Sequence, residues 1–122
     1  MASDAPRAEG VRWKGGTSMA ATSQVVAWRP LPGRADAFIG QVGMAKGIHE
    51  RLGARVNVAQ TVMGGEPMTL IYMMSFDSGV TFGAFLDALE RDGEWQQFWT
   101  TAMGDPTAEM VSSALYSAVE GL

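Results

Sequence analysis

The feature that most constrains the fold is the apolar run at residues 68–76, MTLIYMMSF. The run is too short to cross a membrane, and the turn residues around it favour a buried strand over a helix. Because successive side chains of a strand point to opposite faces of its sheet, Ile71 and Met73 lie on one face. The other face carries Leu70, Tyr72, Met74 and Phe76. Both faces of this strand are therefore apolar, and both sides of its sheet need a cover.

Hydrophobic periodicity predicts the remaining elements. Short β-rich or alternating segments favour further strands at residues 24–29, 55–63 and 109–119. Apolar residues three and four apart predict helices at residues 33–52 and 78–103, the second of which is interrupted at Asp92 and Gly93.

Three glycines, Gly40, Gly43 and Gly47, fall inside the first predicted helix. Each costs about 1 kcal/mol relative to alanine in a helix interior. Such a cost is tolerated where the backbone must approach another element, so we expect this helix to pack closely on the sheet.

The element order is βαββαβ, which predicts an α+β, ferredoxin-like fold with a four-stranded antiparallel sheet. Right-handed crossovers then require the strand order 4-1-3-2. The two helical segments cover one face of that sheet. We expect the sheet of a second copy to cover the other face, which predicts a homodimer through the sheet faces and a dimeric α/β barrel.

Composition and charge narrow the classes of function. Residues 1–22 lack periodicity and are expected to be a flexible N-terminal extension, whereas residues 23–122 form the domain.

The formal net charge is −4 and basic residues are scattered, so we expect no nucleic-acid partner. No window resembles a membrane span or a signal peptide, which predicts a cytoplasmic protein with no membrane partner. The chain has no cysteine and one histidine, so we expect no metal site and no cofactor.

His49 is the first candidate for a chemical role. It lies four residues after Ala45 and three before Leu52, on the inward edge of the first predicted helix. Since histidine titrates near neutrality, it could act as a general base. Two alternatives are a hydrogen-bonded structural histidine and an axial haem ligand.

Large aromatic side chains are the second candidate. The tyrosines and tryptophans of the core could line a pocket for a flat organic molecule, or they could simply fill the core: Trp28, Tyr72, Trp95, Trp99 and Tyr116. Arg29 could bind a carboxylate or phenolate at the pocket mouth, or lie at the surface. We expect the pocket between the two helical segments and the sheet, with His49 at its polar end.

Several short motifs resemble the NIPSNAP-like proteins of the dimeric α/β-barrel superfamily. They are Pro32-Gly33-Arg34, Phe38, Gly64-Gly65, Tyr72 and the segment DGEWQQF at residues 92–98. The resemblance covers residues 24–120. It implies a ferredoxin-like fold that dimerises through its sheets. Relatives in that superfamily include cofactor-independent monooxygenases, haem enzymes and small isomerases, so the resemblance implies no single chemistry and no particular catalytic residue.

Two functions from different classes follow. The first is a small dimeric α/β-barrel protein that binds a hydrophobic or aromatic small molecule, as a cofactor-independent oxygenase or isomerase. The alternative is a non-enzymatic interaction or structural module with no ligand pocket. A cavity of several hundred Å³ with His49 or Arg29 on its wall would favour the first.

Overall fold

The chain folds into a four-stranded antiparallel sheet with helices packed on one face. The computed structural model describes residues 20–122. Within that range the elements are β1 (Thr22–Pro30), α1 (Ala35–Arg51), β2 (Arg55–Gln60), β3 (Leu70–Phe76), α2 (Gly79–Arg91), α3 (Gly93–Gly104) and β4 (Ala108–Ser117). The sheet order is β2-β3-β1-β4, which confirms the predicted order and the α+β, ferredoxin-like class. Residues 1–19 of the expected extension, including Trp13, lie outside the described residues, and Thr22 already belongs to β1.

The β2–β3 connection is longer than the sequence predicts. We expected β2 to reach residue 63 and β3 to begin at residue 68, but β2 ends at Gln60. Gly64 and Gly65 have positive φ angles of 74° and 59°, which turn the chain out of the sheet. Thr61 and Thr69 close the base of this loop, because the Thr61 amide donates to the Thr69 carbonyl at 3.0 Å and their hydroxyls lie 2.7 Å apart.

Side-chain caps separate the two halves of the second helical segment. The Ser78 hydroxyl accepts a hydrogen bond from the Thr81 amide at 3.1 Å and begins α2. Asp92 has an extended backbone, and its carboxylate accepts from the Trp95 amide at 2.9 Å to begin α3. The predicted interruption at Asp92 and Gly93 is therefore confirmed as a break between two helices.

The core lies between the helices and one face of the sheet. Phe76, the most buried large side chain described, contacts Phe82 and Phe85 of α2 with ring centroids 5.1 and 4.9 Å apart. Tyr72 and Met74 of β3 share that face and are also buried. The expected alternation along β3 is thus confirmed on the helix-covered side.

The opposite sheet face carries apolar side chains and no helix. Ile71 and Met73 of β3 pair across the sheet with Ala27 and Val25 of β1. Ile71, Met73 and Val25 are only half-buried in the single chain. We call these four residues the outer sheet face.

The expectation for the glycines of α1 is wrong. A Cβ at Gly40, Gly43 or Gly47 would have no heavy atom within 4 Å. The three residues are exposed, since they lie away from the Phe38 stripe that packs inward. Their small size keeps a helix surface open rather than allowing it to approach the sheet.

Candidate functional site

A cavity of about 300 Å³ lies between the sheet, α1 and the two later helices. Its walls are mainly aromatic and aliphatic, and the aromatic residues that line it are Trp28, Phe38, Tyr72, Trp95, Phe98 and Trp99. Its volume is at the lower end of the range found for small-molecule sites.

Local periodicity explains why these side chains meet. On α1, Phe38, Val42, Ala45 and His49 all line the cavity, at spacings of four, three and four residues. On α3, Trp95 and Trp99 are four residues apart, and their rings stack with centroids 5.5 Å apart. The break at Asp92 separates the direction of α3 from that of α2, so that the face of α3 with Trp95 and Trp99 lies towards the sheet.

His49 is buried at one side of this cavity, with 5% of its surface exposed. Its Nδ1 atom lies 2.6 Å from the Tyr72 hydroxyl oxygen. The imidazole also packs against the Trp95 and Phe85 rings, at centroid distances of 4.7 and 5.7 Å. Burial lowers the pKa of His49 to about 4, so the imidazole is neutral at pH 7.

Tyr72 is neutral for the same reason. Burial raises the pKa of its phenol, and the negative charge of Glu50 raises it further. The His49–Tyr72 pair is therefore an uncharged, hydrogen-bonded polar group within a mainly apolar wall.

The cavity lining contains no Asp, Glu, Lys or Arg side chain among the described residues. Besides His49 and Tyr72, its polar side chains include Gln41 and Thr107, which bond to each other. The Thr107 hydroxyl donates to the Gln41 Oε1 atom at 2.6 Å, and Thr107 is 3% exposed. Sequence analysis missed both residues. The spacing of Gln41, three residues after Phe38, indicates that its side chain faces the interior, so the sequence could have identified it. Thr107 lies in a loop, where no periodicity predicts the direction of a side chain.

Two of the expected pocket residues lie elsewhere, which corrects the sequence-based expectation. Arg29 follows Trp28 in β1, so its side chain points to the opposite sheet face, where it pairs with Glu66 at 2.7 Å and Glu109 at 2.9 Å. Its hydrogen bond to Glu109 raises the pKa of the guanidinium. Tyr116 is 58% exposed and stands opposite Ser23 on that same face. Neither residue lines the cavity, because strand alternation sends each away from the helices.

A second hollow, a groove of about 660 Å³, separates α1 from α3. It shares Gln41, Phe98 and Ala102 with the cavity, so these residues form the partition between the two. Gly43 and Gly47 line its α1 wall. The absence of side chains at these positions is what leaves the groove open.

Neither a metal cluster nor a membrane-spanning helix is found in residues 20–122. No group of three or more His, Asp or Glu side chains there is placed to hold a metal ion. Each helix is too short or too polar to cross a bilayer. With Nδ1 of His49 bonded to Tyr72, Nε2 is the ring nitrogen left to contact a ligand.

No protein-family model matches the chain, and no curated protein matches it significantly. Solved structures do match. A NIPSNAP family protein of unknown function from Agrobacterium tumefaciens is 15% identical, with a TM-score of 0.64 over 85% of this chain and 93% of that one. A NIPSNAP-like domain protein from Burkholderia xenovorans is 12% identical, with a TM-score of 0.64 over 85% of this chain and 90% of that one.

The chain shares the fold of these two NIPSNAP proteins. A candidate antibiotic biosynthesis monooxygenase from Chloroflexus aurantiacus shares that fold more distantly, at 21% identity and a TM-score of 0.56 over 84% of this chain and 97% of that one. The solved structures that share the fold of this chain thus include proteins of unknown function and one described as a candidate enzyme.

Proposed function

We propose that this chain binds a flat, hydrophobic or aromatic small molecule in the cavity and acts on it as a cofactor-independent oxygenase or isomerase. The observation that carries the proposal is the neutral His49–Tyr72 pair, buried in the wall of an aromatic cavity. Aromatic walls favour a flat ligand through stacking and burial of apolar area. The fold shared with a candidate monooxygenase supports the choice of reaction class.

The chemistry proposed here needs few groups. An isomerase moves a proton between two carbons of a substrate next to a carbonyl group. An oxygenase of this kind uses O₂ as co-reactant, and the deprotonated substrate supplies the electrons. Both reactions begin with transfer of a substrate proton to solvent water at the cavity mouth, since no carboxylate or amine of the described residues lines the cavity. A nearby hydrogen-bond donor stabilises the enolate-like anion that remains. In the isomerase water returns the proton to the other carbon, whereas in the oxygenase the anion reduces O₂.

The binding proposal is tested by titrating tricyclic aromatic compounds into the protein and following tryptophan fluorescence. Trp99 forms part of the cavity wall, so Trp99→Ala should weaken binding about tenfold or more, as expected for losing a stacked indole. The control is Val80→Ala, which shortens an exposed apolar side chain on α2 that lines neither the cavity nor the outer sheet face.

Equal binding by the two variants would contradict the assignment of the site. If no compound binds the unaltered protein, the molecule is better described as a structural or interaction module.

We further propose that the outer sheet face pairs with the same face of a second copy and so closes an α/β barrel. Ile71, Met73 and Val25 form an apolar patch that nothing in the described chain covers. Introducing a charge at its centre with Met73→Lys should convert a dimer into a monomer, since an unpaired charge at an apolar interface is costly. Sedimentation of the unaltered protein as a monomer at micromolar concentration would contradict this proposal.

A further inference from the structure

The direction of the His49–Tyr72 hydrogen bond decides what the cavity offers to a ligand. The two atoms, Nδ1 and the phenol oxygen, are 2.6 Å apart, so one proton lies between them. A neutral imidazole carries one N–H, on either Nδ1 or Nε2. If Tyr72 donates, then Nε2 carries the hydrogen and is a donor. If Nδ1 donates, then Nε2 is an acceptor and His49 could serve as a base.

Donor and acceptor strengths favour Tyr72 as the donor. Within residues 20–122, His49 Nδ1 is the hydrogen-bond partner of the Tyr72 hydroxyl, and Nε2 has none. Either direction of the bond leaves one donor and one acceptor of the pair unpaired, so the number of unpaired groups does not distinguish the two arrangements. A phenol O–H is a far stronger acid than the N–H of a neutral imidazole, and the imidazole lone pair is a stronger base than a phenol oxygen. The bond from the phenol O–H to Nδ1 is therefore the stronger one, and it leaves the hydrogen of the neutral ring on Nε2.

Gln41 also presents a donor to the cavity. Its Oε1 atom accepts from the Thr107 hydroxyl at 2.6 Å, so the amide oxygen is directed towards Thr107. The amide nitrogen, with two N–H groups, has no hydrogen-bond partner among the described residues and belongs to a side chain that lines the cavity. Gln41 and His49 are eight residues apart on α1, about 12 Å along the helix axis, so they face different ends of the cavity.

We propose that Tyr72 and Thr107 are positioning residues that hold His49 and Gln41 as hydrogen-bond donors, so that the cavity selects a neutral, flat ligand with a carbonyl-type acceptor. This inference rests on the proposed binding function and deepens it. An anionic ligand is disfavoured because the wall supplies no positive charge to offset its desolvation. His49 then polarises a carbonyl by donation from Nε2 and does not abstract a proton.

The tautomer can be measured without a ligand. The chain has one histidine, so a ¹⁵N–¹H correlation spectrum of its imidazole reports His49 alone. At pH 7 we expect the protonated nitrogen to be Nε2 and the unprotonated one to be Nδ1. The Tyr72→Phe variant lacks the phenol donor. In its spectrum the ¹⁵N chemical shift of Nδ1 should move to the value of a nitrogen without a hydrogen bond. The matched control Tyr116→Phe should leave the spectrum unchanged. A proton on Nδ1 in the unaltered protein would overturn the proposal.

The ligand class is tested with two probes of nearly the same shape, 9-fluorenone and fluorene. Only the first carries a carbonyl oxygen. We expect the unaltered protein to bind 9-fluorenone about fivefold more tightly, the value of one hydrogen bond. In the Tyr72→Phe variant Nε2 is no longer held as a donor. The ratio of its affinities for 9-fluorenone and fluorene should therefore be smaller than in the unaltered protein.

The outcomes separate the two proposals. Fluorene binding as tightly as 9-fluorenone, or more tightly, would overturn the donor assignment and leave the binding function standing. If neither probe binds, the binding function is contradicted and the ligand class falls with it.

Discussion

Acidification should destabilise the fold through His49 at a pH where the lowered pKa values of Asp92 and Asp105 keep both carboxylates ionised. Burial lowers the pKa of His49 from 6.5 to about 4, so in this pH range the unfolded chain binds a proton that the folded chain excludes. Stability rises with pH wherever the unfolded state binds more protons. The contribution of His49 is therefore lost progressively as the pH falls from about 6.5 towards 4.

The magnitude follows from those two pKa values. Between pH 7 and pH 5 the free energy of unfolding should fall by about 2 kcal/mol, since one unit of pKa shift corresponds to about 1.4 kcal/mol. This is a large fraction of the stability of a domain of this size. Asp92 and Asp105 have lowered pKa values, caused first by their hydrogen bonds to Arg51 and Arg34. Their contributions are lost only below the ordinary range of aspartate, so the decline between pH 7 and 5 does not come from these two carboxylates.

The assay is urea unfolding at pH 7, 6 and 5, followed by far-ultraviolet circular dichroism. The matched variant is His49→Gln, which keeps a polar side chain but cannot titrate. It should be less stable than the unaltered protein at pH 7, because the bond to Tyr72 is altered, and its stability should change little between pH 7 and 5. If the unaltered protein keeps its stability at pH 5, or if His49→Gln shows the same decline, the reasoning from burial is refuted.

Three further predictions concern the scaffold, each measured as a change in the free energy of unfolding. Phe76→Ala should cost about 3–5 kcal/mol, since the ring is almost fully buried, and a loss below 1 kcal/mol would contradict the packing. Ser78→Ala should lower the free energy of unfolding by about 1 kcal/mol, because the helix cap is lost. Ser78→Thr keeps a capping hydroxyl and should retain most of that stability. Equal losses in the two variants would show that the cap is not the cause. Gly40→Ala should stabilise the protein by about 0.5–1 kcal/mol, because a methyl group there meets no neighbour, and destabilisation would reveal a contact not seen in the single chain.

Periodicity alone predicted the order of the elements and the inward direction of several side chains. The spacing of Phe38, Val42 and Ala45 placed His49 towards the interior, and the structure has it there. The spacing of Trp95 and Trp99 put both indoles on one helix face. These relations are local, because they depend on the 3.6-residue repeat of a helix and the two-residue repeat of a strand. The strand order followed from element order and crossover handedness.

Tertiary structure decided which partners those side chains meet. Tyr72 reaches His49 from 23 residues away, and Thr107 reaches Gln41 from 66, so no periodic pattern could pair them. Arg29 was expected at the pocket mouth, but Trp28 faces the helices and Arg29 lies on the opposite face of the sheet, and which face is covered is decided only when the sheet packs against the helices. The glycines of α1 could equally have allowed close packing or left a groove, and the separation of α1 from α3 selected the groove. Residue spacing determines the direction in which a side chain points along its own element, whereas hydrogen-bond partners, burial and the resulting pKa depend on contacts between elements distant in the chain.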